Sequence, residues 1–125
     1  MPNQAHLSLK ELEEYFDVTI ITQNVDDLHE KAKSSHIIHL HGSLFEVIPE
    51  NHPSLIQNIG NKAIHLGDKD SNGFQLRPNI VWFGEMVPLM DTANMMAEHA
   101  DIFIVVGTSM AVYPAAGIID YAPQQ

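Results

Sequence analysis

From residue 5 to 16 the apolar positions Ala5, Leu9, Leu12 and Phe16 recur at steps of three and four, while Lys10, Glu11, Glu13 and Glu14 take the opposite side. That period predicts an amphipathic helix with one buried stripe. Asp17 then opens Val18-Thr19-Ile20-Ile21-Thr22, a β-branched run too uniformly apolar for a strand with one wet face. It predicts a strand covered on both sides, as parallel sheets require. Asn24, Asp26 and Asp27 supply cap-type side chains ahead of a short helix over 28–32, and Ser34-Ser35 leads into a second apolar run, Ile37-Ile38-His39-Leu40. Between 49 and 78 the pattern breaks at Pro49, Pro53, Gly60, Gly67, Gly73 and Pro78, predicting an irregular insertion with one short helix over 54–59. Order resumes with Ile80-Val81-Trp82-Phe83-Gly84. Pro88 then stands as a first helical residue before Leu89, Met90, Ala93, Met96, Ala97 and Ala100, with Met86, Met90, Met95 and Met96 expected to form a plastic core face and entrance lining. A strand is expected over 101–107 and a final helix over 114–121, followed by Pro123.

Strands that read as continuous apolar runs and alternate with helices predict an α/β fold with a parallel sheet. In a doubly wound sheet a strand would precede the first helix and follow the last, so the sequence is expected to be a segment of a larger domain. Its 125 residues, 45% of them hydrophobic, suffice for one core. The formal charge of −10, from 6 Lys+Arg against 16 Asp+Glu, sets the surface against phosphate backbones and anionic membranes, so neither nucleic acid nor membrane is expected as a partner. The chain has no cysteine, which removes disulfides, thiol nucleophiles and thiolate zinc sites. The start lacks a basic region with an apolar core, and no run is long enough for a membrane span. A soluble, cytoplasmic protein is expected.

In open α/β sheets ligands sit outside the carboxyl ends of the strands. The polar residues at those ends are Gln23, Asn24 and Asp26, then His41 with Gly42 and Ser43, then Gly107, Thr108 and Ser109. Singly, each has a bland reading as a helix cap, a hydrogen-bonded histidine or a turn. Together and in order they extend to Thr22-Gln23-Asn24-Val25-Asp26-Asp27-Leu28-His29, Leu40-His41-Gly42-Ser43-Leu44, Val81-Trp82-Phe83-Gly84-Glu85 and Val106-Gly107-Thr108-Ser109-Met110-Ala111-Val112-Tyr113-Pro114, with Pro2-Asn3-Gln4-Ala5-His6 as lead-in. This ordered set resembles the sirtuins, NAD-dependent protein lysine deacylases of the acyltransferase class.

The resemblance implies a Rossmann-like parallel sheet with helices on both faces, in parts 1–48 and 80–125, separated by a small module at 49–79. It implies NAD as co-substrate and acylated lysine peptides as partners. His41 matches the general base, since an imidazole titrating near neutrality can deprotonate a ribose hydroxyl. Gln23, Asn24 and Asp26 match the nicotinamide and ribose pocket, and Gly107, Thr108 and Ser109 the adenosine side. Val81, Trp82, Phe83, Gly84 and Glu85 match the segment that pairs with an extended acyl-lysine peptide, with Val112 on the opposing side of that groove; Trp82 is expected to flank the acyl-lysine chain.

Two departures stand beside these matches. The interval that holds a cysteine zinc ribbon in many sirtuins contains no cysteine here, only His52 and His65, so the likeness is to zinc-less bacterial members and no metal is expected. His39 and His41 share a strand face, yet no carboxylate nearby in sequence completes a metal shell. The family's Gly-Ala-Gly phosphate loop does not occur in the sequence, and neither does the last part of its nucleotide-binding sheet. Two readings stay open: a deacylase, and a catalytically incomplete module that binds acyl-lysine peptides.

Overall fold

Asn3 starts helix α1 (Gln4–Leu12) with a reciprocal capping box, its side chain accepting from the His6 amide while its own amide donates to the His6 ring. The computed structural model describes residues 1–123. After α1 come β1 (Thr19–Thr22), α2 (Leu28–Lys31), β2 (His36–His39), β3 (Gly42–Pro49), β4 (Gln57–Asn58), β5 (Leu76–Ile80), α3 (Met90–Glu98) and a 3-10 helix (Ala115–Tyr121). Helix α1 stops at Leu12 rather than reaching 16, and Phe16 is exposed. The Glu13 carboxylate takes Lys10 Nζ at 2.7 Å, the Ser35 amide at 2.9 Å and the Ser35 hydroxyl at 2.6 Å, which ends the helix and ties it to the entrance of β2.

Strands β1 and β2 pair in parallel, from Thr19 opposite His36 to Thr22 opposite His39, and the Leu40 amide continues the ladder to Thr22 O at 2.9 Å. Because side chains alternate along a strand, Ile20 and Thr22 are buried on one face while Ile21 packs from the other. On that second face Leu40, Ala93, Ala97, Ala115 and Ile118 form the core, with Ile38, Val87, Met90 and Phe103 against it. Alanines on α3 and the 3-10 helix let the two backbones approach closely over Leu40. Of the four methionines expected as core face and entrance lining, Met90 packs on the core and Met86, Met95 and Met96 are exposed, because α3 meets the sheet through its alanine stripe.

The segment after β2 forms a second sheet, antiparallel, in the order β4-β3-β5. Val47, Ile48 and Pro49 of β3 are buried in it. Its first strand lies ahead of residue 49, and where a helix was expected over 54–59 there is a turn followed by β4, which covers the edge of β3 at Glu46 and Val47. Pro53 and the polar residues around it disfavour a helix, and the free edge of β3 offers hydrogen bonds instead. A second correction concerns 101–107. The run is apolar, but it pairs with no strand among the described residues, and Ile102, Ile104 and Val106 lie more than 60% exposed. An apolar run becomes a strand only where a neighbouring backbone supplies the ladder. Likewise only Ile80 of the run 80–84 is in a strand.

Candidate functional site

The carboxyl ends of β1 and β2 lie side by side, so the residues that follow each strand meet. His41 Nδ1 lies 3.1 Å from the Gln23 carbonyl. A carbonyl oxygen only accepts, so the ring donates from Nδ1, and the neutral imidazole then carries its lone pair at Nε2. Among the described residues no protein group hydrogen-bonds that Nε2. Asn24 and Val25 are held from the same side: the Asn24 carbonyl lies 3.1 Å from His39 Nδ1, and the Val25 carbonyl accepts from the Leu44 amide at 3.0 Å. Three consecutive carbonyls of the β1–α2 loop are therefore gripped by β2 and the segment after it.

Within that loop the Asn24 amide donates to Thr22 Oγ1 at 3.1 Å, and Asp26 Oδ1 accepts the Leu28 amide at 3.0 Å. Asp26 thus closes a turn just ahead of α2, whose N-cap is Asp27. The Asn24 residue itself is exposed. Gln23 reaches across the chain, its side-chain amide 3.4 Å from Thr108 Oγ1, which also accepts the Met110 amide at 3.2 Å. Gly107 has φ +67 with open space where a Cβ would stand. It combines a left-handed conformation with room for a ligand to approach the backbone. Ser109 is exposed beside it.

The carbonyl of His41 accepts from the Val81 amide at 2.9 Å, which attaches the 81–85 segment to the histidine. That segment closes as a turn: the Glu85 amide donates to Trp82 O at 3.0 Å, and Glu85 Oε2 accepts the Trp82 amide at 3.0 Å. Gly84 supplies the positive φ. Arg77 braces the turn from β5, one guanidinium nitrogen on Glu85 Oε1 at 3.0 Å and the other on Ile80 O at 3.2 Å. Phe83 is fully exposed and Trp82 half-exposed. Val112 is partly exposed on the far side, its carbonyl bonded to the Ala116 amide at 2.9 Å. No hydrogen bond among the described residues joins it to 81–85.

The geometry unites Gln23, His41, Thr108 and Val81 directly and sets Asn24 and Asp26 on the same loop. It also gives His39 a hydrogen-bonding role in place of a metal pairing with His41, and adds two residues that were not candidates from sequence, Glu30 and Arg77, whose bonds help hold the site's loops. The one available signal was the alternation of His39 with His41; Arg77 and Glu30 lie on other elements and carried none. Among the described residues no group of three or more His, Asp or Glu could hold a metal ion. No helix among them is long and apolar enough to cross a membrane.

A family model described as the Sir2 family matches residues 1–114. The chain is 52% identical to an NAD-dependent protein deacylase of Bacteroides thetaiotaomicron, over 98% of this chain and 55% of that protein. It superposes on the structure of a Sir2 homolog in complex with NAD with a TM-score of 0.86 at 43% identity, covering 97% of this chain and 49% of that one. For a structure of Sir2 bound to acetylated peptide the TM-score is 0.80 at 33% identity, covering 96% and 53%. The chain thus spans about half the length of the curated relatives it matches.

Proposed function

The chain belongs to the Sir2 family, and on that premise we propose that the protein is an NAD-dependent protein lysine deacylase acting through His41. The observation that carries the reading is the His41 ring, donating from Nδ1 to Gln23 O and offering Nε2 as a base at the strand ends. NAD, when bound, supplies the glycosidic bond whose cleavage releases nicotinamide and the ADP-ribose that accepts the acyl group.

The residues fit such a ligand. Gln23 and Asn24 carry amides, and Asp26 a carboxylate, suited to a carboxamide and ribose hydroxyls. Gly107, Thr108 and Ser109 combine an open backbone with two hydroxyls for the adenosine side. His41 takes a proton from a ribose hydroxyl at Nε2 while its Nδ1 bond keeps the ring oriented. The turn 81–85 and Val112 take the acylated peptide through backbone pairing, which tolerates varied sequences, and Trp82 and Phe83 offer apolar surface to the acyl-lysine chain.

We extend the reading in two respects. The protein works without structural zinc, its β4-β3-β5 sheet closing on the apolar residues Val47, Ile48 and Pro49 of β3. It acts in the cytoplasm, which suits a cysteine-free chain. The test is acyl-lysine-dependent nicotinamide release from NAD by the full-length protein. His41→Ala is expected to lower turnover by roughly 10²–10⁴-fold with peptide binding retained. Undiminished turnover would remove His41 as base. Peptide binding with no nicotinamide release by wild type would leave a binding module instead.

A further inference from the structure

His39 makes two bonds that a neutral imidazole cannot make together. Its Nε2 lies 2.6 Å from Glu30 Oε1 on α2, and its Nδ1 lies 3.1 Å from the Asn24 carbonyl. A carboxylate and a carbonyl are both acceptors, so both ring nitrogens must carry hydrogen. The imidazolium satisfies both, and its side chain is largely shielded from water, where charge-assisted bonds are strong. His41, two residues on, makes a single bond, to the carbonyl of the preceding residue in the same loop. The two histidines thus divide the work, each ring holding one of two neighbouring carbonyls.

We propose that His39 is a positioning residue: charged and paired with Glu30, it clamps the Asn24 carbonyl and so presets Asn24 and Asp26 for the nicotinamide side of NAD. This rests on the deacylase reading above. The charged and titratable groups that face the ring are Glu30, at 2.6 Å, and His29, both on α2; Asp27, next to that helix, is already paired with Lys31 at 2.6 Å. The clamp therefore depends on Glu30.

The test uses the full-length protein with His39→Gln and Glu30→Gln, the latter at a half-exposed position that tolerates exchange. Both variants are expected to raise KM for NAD about tenfold with kcat at saturating NAD within about twofold of wild type. Long-range proton–nitrogen NMR should find hydrogen on both His39 ring nitrogens of the wild-type protein, each facing its oxygen acceptor. A bare His39 nitrogen in wild type, or an unchanged KM for NAD in both variants, overturns the clamp. A wild-type protein that releases no nicotinamide overturns the deacylase reading instead, because the NMR state of His39 is read without turnover.

Discussion

At the scale of single residues, protonation is what the structure sorts most sharply. The His29 ring packs against His6 with centroids 4.7 Å apart, and its Nδ1 is buried with no partner. Burial, and then the charge His6 would carry, hold the His29 pKa below its ordinary 6.5, while Glu30 and Asp26 pull the other way. As pH falls below 6.5 the unfolded chain takes up this proton and the folded chain does not, so stability from the neutral ring is complete above that value and declines beneath it. The melting temperature of the full-length protein is expected to drop between about pH 7.5 and about pH 5.5, and His29→Phe, which keeps a ring and removes the titration, should flatten the slope. Equal slopes in both proteins would show that His29 is not the group responsible. The residue scale is also where the sequence was most legible. A histidine directly after a buried strand is conspicuous, whereas Glu30, the carboxylate that meets His39, lies on another element and is invisible until α2 folds back.

Among the elements, the junction between β2 and β3 concentrates the constraint. Gly42 has φ +77, and a Cβ there would stand 1.9 Å from the Asn79 carbonyl of β5. Gly42→Ala must therefore part β3 from β5 where they pair, in addition to a left-handed backbone costing roughly 1–2 kcal/mol. It is expected to destabilise the full-length protein by more than that, read by chemical denaturation, and to displace Val81 from His41. A loss under about 0.5 kcal/mol would mean the junction relaxes freely. At the other end, the Glu13 carboxylate is lowered from 4.5 to about 2 by Lys10 first and by Ser35 next. Its contribution to holding α1 against β2 is complete above 4.5 and fades as pH falls toward 2, so a carboxylate titration by NMR should find Glu13 still ionised at about pH 3, and Ser35→Ala should raise its pKa. The α-helical segments and both parallel strands were legible from periodicity because each is specified by its own stripe of side chains. β3 was not, since its partner β5 lies beyond a Pro- and Gly-rich interval. The run 101–107 misled for the converse reason: its composition announces burial, but burial is a property of two surfaces.

Over the whole molecule the excess of acidic residues acts at a distance. Six Lys and Arg against sixteen Asp and Glu leave a field that draws cationic ligands and repels anionic ones. NAD carries a pyrophosphate, so in the proposed function its capture would rest on short-range bonds at Gln23, Thr108 and Gly107 rather than on attraction from afar. An acylated peptide has the opposite relation to the field when lysines or arginines flank the modified residue. At the proposed groove Glu85 is partly neutralised by Arg77 at 3.0 Å, so the attraction comes from the broader surface and not from one pair. Such long-range attraction is screened by salt, with a Debye length of about 10 Å at 0.1 M. Raising ionic strength from about 0.05 to about 0.5 M is therefore expected to lower kcat/KM several-fold for a peptide with flanking cations, while a peptide with neutral flanks changes little and kcat holds for both. Equal salt responses for the two peptides would place recognition wholly in the backbone pairing of 81–85, and a steeper loss for the neutral peptide would contradict steering by net charge.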